Sequence, residues 1–147
     1  MKKTILIAAL FCLAGCNDAF YKTKAFDGAN TERICIKVFE CSNGDVASSV
    51  TTIAETEFLR AKKNVGDCNN ATMVIRGKIV LLNRAYGDSS FLFGSYAGGD
   101  SLDTLIIEAY DSRGELLCRL TKEDSGFNVG RAARDGVKEF LRKLRNK

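Results

Sequence analysis

The stretch Leu102-Asp-Thr-Leu-Ile-Ile-Glu-Ala-Tyr110, Asp111-Ser-Arg-Gly114, Glu115-Leu-Leu-Cys-Arg-Leu-Thr121 decides the fold. Its first segment is rich in β-branched and apolar residues and reads as a strand. Asp111 to Gly114 is a turn, with glycine where a left-handed residue is easiest, and Glu115 to Thr121 returns as the next strand. Upstream, Thr72 to Leu82 reads as another strand, bent or bulged at Gly77. Further upstream, Arg33-Ile-Cys-Ile-Lys-Val-Phe-Glu40 has strand composition too. Between those two, Val46, Val50, Ile53, Ala54, Phe58 and Leu59 recur at helical spacing. They predict an amphipathic helix over 46–63, with Asp45 as its N-cap. A second helix runs from Asn128 to Leu144, with Ala133, Val137, Phe140, Leu141 and Leu144 on its apolar face.

The element order is therefore β-α-β-β-β-α, an α+β class. Two helices packed on one face of a four-stranded, mostly antiparallel sheet bury both apolar stripes. Gly136, with Ala132 and Ala133, lets the last helix approach the sheet closely. Residues 33–147 form one α/β domain. Residues 17–32 lack periodicity and read as a tether after Cys16, spanning at most ~50 Å when extended.

The amino terminus carries Lys2-Lys3, a short apolar run from Ile5 to Leu13, then Leu13-Ala-Gly-Cys16. The run is shorter than the ~20 residues of a membrane-spanning helix and has the layout of a secretory leader. Leu-Ala-Gly-Cys matches the bacterial lipobox. That motif implies cleavage of residues 1–15, diacylglyceryl transfer to the Cys16 thiol and N-acylation by a fatty acid such as palmitate. Acyl chains anchor a protein because each buried CH₂ contributes roughly 0.8 kcal/mol. Asn17 directly after the cysteine favours the periplasmic side of the outer membrane, while Asp18 one place later keeps the inner membrane open.

The formal charge of the full chain is +4, and it falls by two once Lys2 and Lys3 leave with the leader. Such a small excess argues against a nucleic-acid partner, which calls for a strong basic footprint. The chain has no His, Trp or Pro. Without histidine, the Ser-His and Cys-His nucleophile schemes cannot be built and the commonest metal ligand is missing. The expectation is a non-enzyme with no metal and no cofactor.

Of six cysteines, Cys12 leaves with the leader and Cys16 is lipidated. Cys35, Cys41, Cys68 and Cys118 remain, an even number in an oxidising compartment, so two disulfides are expected. Cys35 and Cys41 sit ~20 Å apart if both lie in one strand, too far to join each other. The first helix carries the chain back, which brings Cys68 to the Cys35 end. This favours Cys35–Cys68 with Cys41–Cys118 over Cys35–Cys118 with Cys41–Cys68.

The segment from Val74 to Leu117 resembles a family of bacterial envelope lipoproteins with a small α/β domain. The matching residues are Val74-Ile-Arg-Gly-Lys-Ile-Val80, Gly94 with Gly98-Gly99, and Asp111-Ser-Arg-Gly114. More broadly, the layout is similar to the curli-secretion lipoprotein, to lipoprotein activators of peptidoglycan synthases, and to the N-terminal domain of the Tol-system propeller protein. The resemblance implies a periplasmic binding or assembly module and carries over no catalytic residues. A protective or exclusion factor, acting against a wall hydrolase or incoming phage, is the alternative.

Two features are candidate contact sites. The Gly-rich segment 87–100 and its approach hold Tyr86, Phe91, Phe93 and Tyr96, aromatic anchors for an envelope protein partner. The last helix holds Arg131, Arg134, Lys138, Arg142 and Arg145 at i+3/i+4 spacing, a stripe that could meet an anionic surface. Asp88, Asp100 and Asp103 flank the Gly-rich segment and read as turn formers rather than a carboxylate pair.

Overall fold

The computed structural model describes residues 18–82, 101–123 and 128–145. The order is β1 (Ala19–Lys22), β2 (Ile34–Ile36), α1 (Gly44–Arg60), β3 (Met73–Leu82), β4 (Ser101–Asp111), β5 (Leu116–Glu123) and α2 (Val129–Arg145), with short 3₁₀ turns at Gly28–Thr31 and Cys68–Asn70. The strands form one sheet in the order β1-β5-β4-β3-β2. Only β2 and β3 are parallel, joined by α1 as a crossover; the other neighbours are antiparallel.

The sheet therefore has five strands among the described residues, not the expected four. The additional one lies in the region read as a tether. Ala19, Phe20, Tyr21 and Lys22 pair with Thr121, Leu120, Arg119 and Cys118 of β5. Phe20 makes the pairing worthwhile, because its ring stands edge-on to Phe140 of α2, 6.2 Å between centroids. A four-residue edge strand has too short an alternation to be legible as a pattern.

The strand expected over Arg33 to Glu40 is regular only for Ile34–Ile36. Past Ile36 the chain bulges, then rejoins β3 where Glu40 bridges Lys78. The bulge turns Phe39 inward, 2 % exposed, and its N–H donates to Thr51 Oγ1 at 2.9 Å. The ring lies against Gly77, where any Cβ would overlap it. Gly77 is therefore a seat for Phe39. The register shift of β3 falls later, between Val80 and Leu81.

Asn43, rather than Asp45, caps α1: its side-chain oxygen accepts from the N–H groups of Asp45 (3.0 Å) and Val46 (3.3 Å). Asp45 sits in the first turn, where an acid complements the helix dipole. A register shift in β5 leaves consecutive Leu117 and Cys118 both buried. The turn at Gly114 has φ +85, the left-handed conformation expected there.

Both helices cover the same sheet face. The core joins Val50, Ala54 and Phe58 of α1 and Ala133, Val137 and Phe140 of α2 to Met73, Ile75, Ile107 and Leu120. Gly136 brings α2 down onto the sheet: a Cβ there would come within 2.5 Å of Leu105 Cδ2.

Cys35 and Cys68 form a disulfide, Cα to Cα 4.9 Å. Cys41 and Cys118 are free thiols, so the expected Cys41–Cys118 bridge is not formed. Cys118 lies in β5 and Cys41 follows the β2 edge. Three strand spacings of ~4.8 Å separate those two positions, about twice the reach of a disulfide.

Candidate functional site

The two helices run in parallel, so both carboxyl ends lie at one end of the domain. Ile53 meets Gly130, Glu57 meets Arg134, and the last turn of α1 meets Lys138 to Arg145. Helix carboxyl ends carry partial negative charge and favour cations. Here the two ends share a groove of about 410 Å³. Arg60 at the end of α1, Lys63 just beyond it, and Lys138, Arg142 and Arg145 from α2 line it, with Leu141 and Ala61 as its apolar lining.

Local structure positions each cation. Ala61 and Lys62 end α1 in a tight turn in which Lys63 N–H donates back to Phe58 O at 3.0 Å. Lys62 takes a left-handed conformation, φ 57, to allow it. That return places Lys63 against the groove. On α2, all five expected cations (Arg131, Arg134, Lys138, Arg142 and Arg145) are exposed, opposite the buried stripe of Ala133, Val137, Phe140 and Leu144.

Glu57 is the acid of this site and is only 5 % exposed. A carboxylate so placed needs partners. Arg60 Nη1 lies at 2.8 Å and Arg134 Nε at 3.5 Å from its Oε1, one from each helix. Of the remaining cations lining the groove, Lys138, Arg142 and Arg145 are exposed and Lys63 is half-buried. The groove is thus a cationic surface suited to anionic groups.

The α2 stripe is legible in the sequence, but the α1 half of the groove is not. The available signal was Glu57, a charged residue three positions after Ala54 on the apolar stripe of α1. Leu59, assigned to that stripe, is 58 % exposed.

The opposite sheet face carries one cross-strand row, Tyr21, Arg119, Glu108 and Arg76. Arg119 Nε and Tyr110 Oη each donate to Glu108 at 2.6 Å, and Arg76 lies over the Tyr110 ring at 4.9 Å. The hydrogen bond to Glu108 holds the Tyr110 hydroxyl above the usual phenol range, and the same carboxylate raises Arg119.

Cys118, fully buried, has its thiol pushed up to about 12 by burial. Such a group is inert as a nucleophile. Cys41 borders a second shallow groove of about 360 Å³ with Glu40 and Lys78. Asp103 is exposed on β4 and accepts from the Thr104 hydroxyl at 3.1 Å. Cys16, Asp88, Asp100 and the aromatic set Tyr86, Phe91, Phe93 and Tyr96 lie outside the described residues.

The fold as a whole has counterparts among solved structures. The fold resembles that of PelC. A PelC dodecamer from Paraburkholderia phytofirmans superposes with a TM-score of 0.58 at 14 % identity, covering 90 % of this chain and 99 % of that one. A single-substitution variant of that dodecamer gives 0.57 at 17 %, covering 88 % and 98 %. A PDZ domain protein from Parabacteroides distasonis gives 0.64 at 15 % identity; 90 % of this chain is covered, but only 36 % of that protein. No family model matches the chain, and no curated protein matches it in sequence. At these identities the likeness concerns the fold.

Proposed function

We propose that this protein is a lipid-anchored, non-enzymatic binding or assembly module of the bacterial envelope, held through acylated Cys16 at the periplasmic face of the outer membrane. One observation carries the reading: a lipobox ending at Cys16 stands directly before a domain whose fold spans nearly the full length of PelC. Among the described residues no helix is long and apolar enough to cross a membrane. The chain's lack of histidine and the inert burial of Cys118 support a binding role over catalysis.

An envelope protein is the partner, and the PelC assemblies make a second copy of this chain the first to test. Tyr86, Phe91, Phe93 and Tyr96 are assigned to that contact. The full chain is expressed in a bacterial host with an alkyne-labelled fatty acid, beside Cys16→Ser, and the membranes are separated and crosslinked. The expected result is label on the wild type alone, outer-membrane fractionation, and a crosslinked species lost in Phe91→Ser/Phe93→Ser. An unlabelled wild type that fractionates as a free periplasmic protein would overturn the reading.

A further inference from the structure

We infer that the helix layer is the membrane-facing side of the protein, with the cationic groove between α1 and α2 seated on the headgroup phosphates of anionic phospholipid. The inference rests on the lipid-anchor reading above and adds the orientation. Its basis is how few residues separate Cys16 from the domain. Asp18 is already part of the domain: Lys122 Nζ lies 3.4 Å from Asp18 Oδ2 and 3.2 Å from Glu139 Oε2 of α2. Cys16 is two residues before Asp18. Two residues reach at most ~7 Å, so acyl chains on Cys16 bring the bilayer surface against this flank of the domain.

That flank leads straight to the cations. Glu139, held by Lys122, lies one turn from Arg142, whose Nη2 is 4.0 Å from Glu139 Oε1. From Arg142 the groove continues through Lys138 and Arg145 to Arg60 of α1 and Lys63 just after it. A loose tether would have left the domain free to tumble; β1, paired to β5 and packed through Phe20 on Phe140, removes that freedom. The open sheet face, with its row Tyr21, Arg119, Glu108 and Arg76, is turned away and left for a protein partner. Cations held near an anionic bilayer each strengthen attachment, roughly fivefold per side chain.

The test is lysine acylation footprinting, read by mass spectrometry, of the full acylated protein in vesicles. Vesicles of phosphatidylethanolamine with phosphatidylglycerol are compared with vesicles of phosphatidylcholine. The inference expects Lys63 and Lys138 to be labelled about fivefold more slowly on the anionic vesicles, while Lys78 of the open face is unchanged. Lys138→Glu/Arg142→Glu, both exposed and harmless to the core, should restore labelling of Lys63. The intact mass of the same sample reports acylation of Cys16 separately. An unacylated Cys16 would defeat the anchor reading itself. Acylated protein with equal labelling of Lys63, Lys138 and Lys78, or with Lys78 protected instead, would overturn the orientation alone.

Discussion

The ring of Phe39 rests on Gly77, in the space a Cβ would occupy. Phe39 is buried to 2 % exposure, and its neighbour across the core is Thr51 of α1. This contact locks the bulge after β2 onto β3, and with it the end of the sheet from which α1 departs.

Gly77→Ala should therefore destabilise the domain by about 1–3 kcal/mol, the usual cost of overpacking a filled core. Urea denaturation of the oxidised protein measures it. In a Phe39→Leu background the same substitution should cost less, because the clash partner is smaller and the two sites couple. Equal costs in both backgrounds would mean that Phe39 does not occupy that space.

Thiol counting separates the observed disulfide pattern from the two-bridge expectation. Native alkylation of the exported protein should modify Cys41, and alkylation after unfolding without reductant should modify Cys118 as well. Peptide mapping should recover Cys35 linked to Cys68. Replacing both bridge cysteines by serine should cost roughly 2–4 kcal/mol. A Cys41–Cys118 peptide in the map would contradict the structure.

Stability should fall at alkaline pH. Cys118 rises from 9.0 in the open chain to about 12 in the fold through burial. Tyr110 is raised as well, chiefly by its hydrogen bond to Glu108. For Lys122, burial pulls down, but Glu139 and Asp18 outweigh it and the net shift is upward. In every case the folded state holds its proton more tightly than the unfolded state. The stabilisation is complete below the unfolded value and is lost as pH climbs towards the folded one. From pH 9.0 to about 12 the thiol alone makes stability decline with each step in pH. Chemical denaturation across that range should show the decline, with a shallower slope for Cys118→Ala. An identical slope in that variant would exclude the thiol as a cause.

Lys62→Gly should stabilise the protein by about 1 kcal/mol. Lys62 holds a left-handed backbone at the end of α1, φ 57, which costs an L-residue roughly that amount and glycine almost nothing. Thermal melting reports the gain. A loss would indicate that the Lys62 side chain makes a compensating contact.

The strands from Met73 to Glu123 and both helices were legible because their signals are local and long. Val50, Ala54 and Phe58 repeat at helical spacing, and Leu105, Ile107 and Ala109 alternate inward along one strand. The Cys35–Cys68 pair followed from chain direction, since a crossover helix returns the chain to the end of the strand it left. Half of the cationic groove was legible too, because Arg131 to Arg145 form a stripe along a single helix.

The remainder depended on partners distant in sequence. Nothing within Ala19-Phe-Tyr-Lys22 marks it as a strand; its hydrogen-bonding partner lies about a hundred residues away in β5, and Phe140 rewards the pairing. Gly77 looked like a bend until Phe39 arrived from another element to fill its place. Cys41 and Cys118 were paired on parity, and the width of a five-stranded sheet keeps them apart. By itself, then, the sequence determined the helices, the meander of strands and the lipobox, all features carried by neighbouring residues. Tertiary structure alone decided where Asp18 to Lys22 sit and which cations gather in one groove. Those depend on which surfaces meet once apolar area is buried, and burial joins residues without regard to their distance along the chain.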